Sequence, residues 1–178
     1  MVQRWMAIGA MAVLFVVVNI GCYLLPIDYG FLGDYSFAGV FVVTALATAT
    51  IVVPVPYIPI IMRIAEQQQS VTALLGIVLA AGLGSVVGEI SGYMVGRAGR
   101  HAFAESRFSR WVAEQMHHPV RSFVALFALS APPNPLFDVA GMAAGTFGVP
   151  FWLFALAVFL GRCVRMAGII LVTVWWYQ

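Results

Sequence analysis

Charge is the scarcest resource in this sequence. Only 9% of its 178 residues are Asp, Glu, Lys or Arg, and lysine does not occur. An average soluble domain carries roughly 25%. With 62% hydrophobic residues, too few polar groups remain to cover a water-exposed surface. An ordinary soluble domain is therefore excluded. The formal charge of +2 is too small for a nucleic-acid-binding surface. Cysteine is nearly absent. Cys22 and Cys163 sit in apolar surroundings without CxxC or Cys/His ligand spacing, and read as small buried hydrophobes. Strict apolar/polar alternation is missing, which argues against an outer-membrane β-barrel. There is no phosphate-cradling glycine loop, no HExxH pair and no serine-nucleophile motif. The chain reads as a non-enzyme, with no cofactor and no metal site implied.

What remains is helical apolar sequence, organised around Gly84-Ser-Val-Val-Gly-Glu-Ile-Ser-Gly-Tyr-Met-Val-Gly-Arg97. Gly84, Gly88, Gly92 and Gly96 recur every four residues, and Ser85, Glu89, Tyr93 and Arg97 recur beside them. Positions i and i+4 share a helix face. The stretch therefore predicts a smooth glycine groove edged by a polar stripe. Each glycine costs a soluble helix ~1 kcal/mol against alanine. In a membrane, small residues let another backbone approach. A glutamate at that depth must face protein or water.

Four more apolar segments flank it. Trp5 to Leu25, after Arg4, is a first apolar run, read as a retained helix rather than a cleaved signal. Residues 36–62 form a second run, interrupted by Pro54, Pro56 and Pro59. Residues 122–148 form a third, interrupted by Pro132, Pro133 and Pro135 around Asn134. Proline removes a backbone donor and clashes with the preceding turn. Broken backbone at membrane depth survives only inside protein or beside a cavity. Both runs are expected to be re-entrant hairpins. A final helix runs from Pro150 to about Trp176, with Arg162 and Arg165 on one face and Trp175, Trp176 and Tyr177 as an aromatic belt.

Residues 97–121 hold five of the nine arginines and all three histidines, His101, His117 and His118. The segment reads as a cytoplasmic amphipathic stretch lying on the membrane or packed as a solvated helix. Charge counting then requires 36–62 to enter and leave on one side. The pattern of broken hairpin and spanning helix occurs twice, in opposite orientations. The expected fold is an all-α integral membrane protein in one domain, 1–178. It has an inverted-repeat architecture with two re-entrant hairpins and about three full transmembrane helices.

Glu89, Asp138, Arg162 and Arg165 are ionisable residues within apolar segments. They are candidates for a transport crevice. Asp138 with Arg162 is the expected ion pair. Tyr93 is expected to hydrogen-bond Glu89, the candidate proton handler. Arg97 is placed at the interface, and the side-chain amide of Asn134, held between two prolines, can bond exposed backbone or a ligand.

The glycine stretch resembles the signature G-x-x-x-G-[DE]-x-x-x-Y-x-x-G-R of the DedA/VTT superfamily, also called SNARE-associated Golgi proteins. Pro133-Asn-Pro-Leu-Phe-Asp-Val-Ala-Gly141, then Gly145 and Val149-Pro-Phe-Trp152, is similar to the vacuole membrane protein branch. The resemblance covers roughly 36–170. It implies opposed re-entrant hairpins and movement of phospholipid or lipid carriers between leaflets. Bacterial relatives usually have a Pro-Gly-Glu acid in the first hairpin and arginine in the second, and this chain has neither. The departure favours a passive phospholipid scramblase or flippase over a proton-coupled carrier of a lipid phosphate such as undecaprenyl phosphate. A non-transporting scaffold or assembly factor is the third reading. Expected partners are a membrane lipid substrate and, for the carrier, protons; a homo-oligomer is compatible. A prokaryotic inner membrane is the default location and the endoplasmic reticulum the alternative.

Overall fold

The structure, a computed structural model, describes residues 17, 20–21, 36–49, 56–68, 70–99, 114, 116, 118–133 and 136–176. Most of the expected first helix near 5–25, Cys22, Pro54, most of the 97–121 segment, Asn134, Pro135 and the side chains of the terminal aromatic belt lie outside them. Six helices carry the described fold: α1 (Ser36–Ala49), α2 (Tyr57–Glu66), α3 (Val71–Ala98), α4 (Pro119–Ser130), α5 (Leu136–Thr146) and α6 (Phe151–Trp176). No strand occurs among the described residues.

Two of these helices are long and apolar enough to cross a membrane, α3 with 28 residues and α6 with 26. At 1.5 Å per residue they rise roughly 42 and 39 Å, against a hydrocarbon core of ~30 Å. The 10 to 14 residues of the other four rise only about 15–21 Å. None of those four can cross alone.

Local chemistry sets the ends. Pro119 opens α4 at a first-turn position, where its missing N–H is not needed. Pro132 and Pro133 lie in the break between α4 and α5 as expected. Pro56 precedes α2, but Pro59 does not break the chain. It sits inside the first turn of α2, where backbone N–H groups have no intrahelical partner to lose. Gly148, at φ 73°, turns the chain between α5 and α6. The amide of Val149 bonds the Ala144 carbonyl at 2.9 Å and that of Gly148 the Gly145 carbonyl at 3.3 Å, a Schellman ending that favours glycine.

The helices α3 and α6 pack against each other, and each collects neighbours. Helix α3 takes α1 and α5, while α6 takes α4 and α2. One apolar cluster joins Val40, Ile61, Ile64, Ile77, Ala81, Met166 and Ile170. A second joins Tyr93, Leu126, Phe137, Ala144, Phe154 and Val158. The first uses the early part of α3 and the late part of α6; the second uses the reverse. The two long helices are therefore antiparallel, with Glu89 and Arg162 lying between the clusters along them.

The outer surface is apolar. Leu75, Leu79, Leu83 and Val87 form an exposed stripe on α3, and Leu156, Leu160, Val164 and Leu171 are exposed on α6. Glu89, Arg162 and Arg165 are inside and these leucines outside, the reverse of a water-soluble arrangement.

Candidate functional site: a buried ionic cluster between the two long helices

Glu89 is 3% exposed and Arg162 4%. The Arg162 guanidinium donates through Nη2 to Glu89 Oε1, forming a buried ion pair across the α3–α6 crossing. Glycine makes this crossing close. A methyl group on Gly82 would meet Cys163 Sγ at 2.6 Å and the Phe159 ring at 3.1 Å. The face of Arg162 also lies over the Phe137 ring, 4.8 Å from its centroid. That contact suits a guanidinium better than an ammonium.

Arg165, one turn further along α6, is 7% exposed. Its Nε donates to the Ala131 carbonyl at 3.4 Å, and its Nη2 to the Pro132 carbonyl. Its Nη1 reaches the Tyr57 hydroxyl at 3.5 Å. Arg165 thus satisfies carbonyls freed where the chain breaks between α4 and α5. It also touches the first residue of α2, beside the other break. Asp138 is half-buried in the first turn of α5, where a carboxylate suits the helix dipole. The charges of Arg162 and Arg165 act on both Asp138 and Glu89, so the four ionisable residues form one electrostatic cluster.

The ion pair differs from the expected one. Arg162 pairs with Glu89, not Asp138, because the two long helices bring residues 89 and 162 face to face at their crossing. Tyr93 does not bond Glu89 either. Its ring stacks on Phe154, with centroids 5.0 Å apart, and meets Phe151 edge-on at 5.7 Å. Those rings carry its hydroxyl to the Val149 carbonyl, to which it donates at 2.7 Å. Arg97, exposed at the end of α3, donates to the same hydroxyl at 3.2 Å.

The expected continuous glycine groove is divided between partners. Gly84 and Gly88 face α1, where a methyl group would meet Phe41, Thr44, Ala45 and Thr48. Gly96 meets the Met142 backbone on α5, and Gly145 on α5 meets the backbone at Tyr93 and Arg97. Gly92 between them has nothing within 4 Å of an added methyl.

Three further residues belong to the cluster's surroundings. Tyr57 was unmarked among apolar neighbours, although a tyrosine directly after a proline in a broken apolar run is a usable signal. Ser85 is fully buried one turn before Glu89, and its hydroxyl has no hydrogen-bond partner among the described residues. Ser130 donates to the Ala157 carbonyl at 3.3 Å and fits against Gly161, fastening the end of α4 to α6.

Two helices long enough to cross a membrane, an apolar outer surface and buried charge are the features of a helical membrane protein. The VTT domain family matches residues 37–174, and the chain belongs to that family. It is 31% identical over 105 residues to "Vacuole membrane protein KMS1" of Arabidopsis thaliana, covering 47% of this chain and 25% of that protein. It is 30% identical over 112 residues to "Vacuole membrane protein 1 homolog" of Dictyostelium discoideum, covering 49% and 28%. "Vacuole membrane protein 1" of Homo sapiens is 30% identical over 104 residues, covering 47% and 26%. The matched region spans about a quarter of the length of these relatives. No solved structure matches the chain.

Proposed function

We propose that the protein moves phospholipids between the two leaflets of a membrane as a passive scramblase or flippase. The observation that carries this reading is the cluster of buried Glu89, Arg162 and Arg165 with half-buried Asp138, inside a molecule whose described outer face is rich in leucine and valine. Intramembrane charge is expensive, and function is its usual justification. Two carboxylates and two guanidiniums are balanced in sign, as a path for headgroups carrying phosphate and ammonium requires. Lipid tails would stay in the bilayer against the exposed leucines. No covalent bond is made or broken.

The proposal includes an inverted repeat. Each half runs short helix, break, short helix, long helix. The contacts exchange accordingly: α1 packs on α3 as α4 packs on α6, and α5 packs on α3 as α2 packs on α6. The hairpins 36–66 and 119–146 would enter from opposite faces. Single cysteines placed next to each hairpin break, probed with an impermeant thiol reagent from either side, test this. Labelling of both from the same side contradicts it.

The activity test uses purified protein in liposomes with a fluorescent phospholipid and an impermeant quencher, with no ion gradient imposed. Quenching well beyond the outer-leaflet fraction is expected. A plateau at that fraction sinks passive exchange for that lipid. The rival is a proton-coupled carrier of a lipid phosphate, which would move lipid only under a pH gradient. A scaffold would move none under either condition.

A further inference from the structure

The two broken segments, 36–66 and 119–146, are held mainly by the long helices. Within each, the two short helices touch: α1 meets α2, and α4 meets α5. Among the described residues, no helix of the first segment forms a packed interface with a helix of the second. Both rest on α6 instead, through α2 and α4. One side chain of α6 reaches the two breaks at once. Arg165 lies near the middle of that helix and is 7% exposed. It donates to the Tyr57 hydroxyl at 3.5 Å, to the Ala131 carbonyl at 3.4 Å and to the Pro132 carbonyl. Tyr57 opens α2 directly after Pro56. Ala131 caps the end of α4, and Pro132 follows it in the break before α5.

The chemistry of the side chain suits that task. Carbonyls freed by a break within an apolar chain need a donor from the protein. Away from water such bonds are strong, because no solvent competes for them. A guanidinium is a planar fork with five N–H donors, so it serves oxygens on separate elements together. Lysine would keep the charge but offers one nitrogen, which cannot span both breaks. The bond to Tyr57 and the bonds to the two carbonyls therefore share one rigid plane. Removing one of them lets the plane swing and weakens the others.

We propose that Arg165 and Tyr57 are positioning residues that link the two hairpin breaks, so that a displacement at one is passed to the other. Coupling of this kind travels through contiguous hydrogen bonds, and here the contiguous element is a single guanidinium. The proposal deepens the lipid-moving reading and rests on it for its purpose, which is to keep both breaks in register beside the ionic cluster while lipid passes. The link itself rests on the three hydrogen bonds of Arg165 and on the lack of a packed interface between the hairpins.

The test is amide hydrogen exchange, read by mass spectrometry, on the full chain in phosphatidylcholine liposomes. Wild type, Tyr57→Phe, Arg165→Lys and the double variant are compared. Tyr57→Phe keeps the ring and changes no residue of the second hairpin. It should nonetheless raise exchange several-fold in peptides covering 126–138, as well as in those covering 57–63. In the Arg165→Lys background, adding Tyr57→Phe should leave 126–138 unchanged, since the link is already cut. Exchange that rises only in 57–63 overturns the proposal and leaves Arg165 as a fastener of each break separately. A rise in 126–138 that persists in the Arg165→Lys background also overturns it, because the coupling then runs by another route. Tyr57→Phe alone carries the test if Arg165→Lys does not fold. Phospholipid exchange is measured on the same liposomes. Wild-type protein that moves no lipid would defeat the transport reading, while the hydrogen-exchange comparison would still decide the link.

Discussion

The two long helices meet their neighbours by different means. Helix α3 does so by omission. At Gly84, Gly88 and Gly96 the absence of a side chain lets another backbone come close. Helix α6 also has a close glycine, Gly161 against Ser130, but adds reach. Arg162 crosses to Glu89, and Arg165 extends to the break after α4 and to Tyr57. Glycine contacts are dispersion contacts between fixed backbones, and they tolerate no substitute. Arginine contacts are polar, and another anion or carbonyl can replace each partner. The comparison assigns close backbone packing to α3 and polar fastening to α6.

The comparison can be broken most severely at the ion pair. Arg162→Met alone should destabilise by about 3–5 kcal/mol, because it strands a buried carboxylate. The double variant Glu89→Met with Arg162→Met should recover most of that loss, since apolar residues of similar volume replace buried pairs well. Thermal melting in detergent measures both. A double variant no better than the single would show that the two side chains have separate partners.

Helix α3 offers an internal control. Gly96→Ala should cost about 1–3 kcal/mol, because its methyl group runs into the Met142 backbone. Gly92→Ala, one turn earlier, should be neutral or gain up to ~1 kcal/mol from helix propensity. Equal effects on melting would dissolve the distinction between close-packed and open glycines. Tyr93→Phe removes the bond to the Val149 carbonyl while keeping the ring stack, and should cost about 1 kcal/mol. Arg97→Gln, at an exposed position, should stay within about 0.5 kcal/mol.

Much of this was legible in the sequence because membrane chemistry punishes exceptions. The long helix from Val71 and the one after Pro150 could be read from apolar length alone. The residues of the cluster stood out because charge is so rare here. Their pairing was not legible. Asp138 and Glu89 are equally plausible partners for Arg162 in one dimension, and only the antiparallel crossing of α3 and α6 selects Glu89. The direction of Tyr93 was hidden for a similar reason. A spacing of four residues suggested a bond to Glu89, but Phe151 and Phe154, about sixty positions later, hold its ring. Pro59 shows a local limit. A proline in a first turn and a proline that breaks a helix look alike until the helix start is known.

If headgroups cross the membrane at the Glu89–Arg162 pair, as proposed, removing both charges must slow them. The most direct measurement is gradient-free phospholipid exchange in liposomes for the wild type and the Glu89→Gln, Arg162→Gln double variant, each shown to be folded by melting. Exchange beyond the outer leaflet is expected in the wild type and at least a ~tenfold slower rate in the variant, equivalent to about 1.4 kcal/mol in the barrier. Equal rates in two folded proteins would contradict it, leaving the pair as a fastener between α3 and α6 and nothing more.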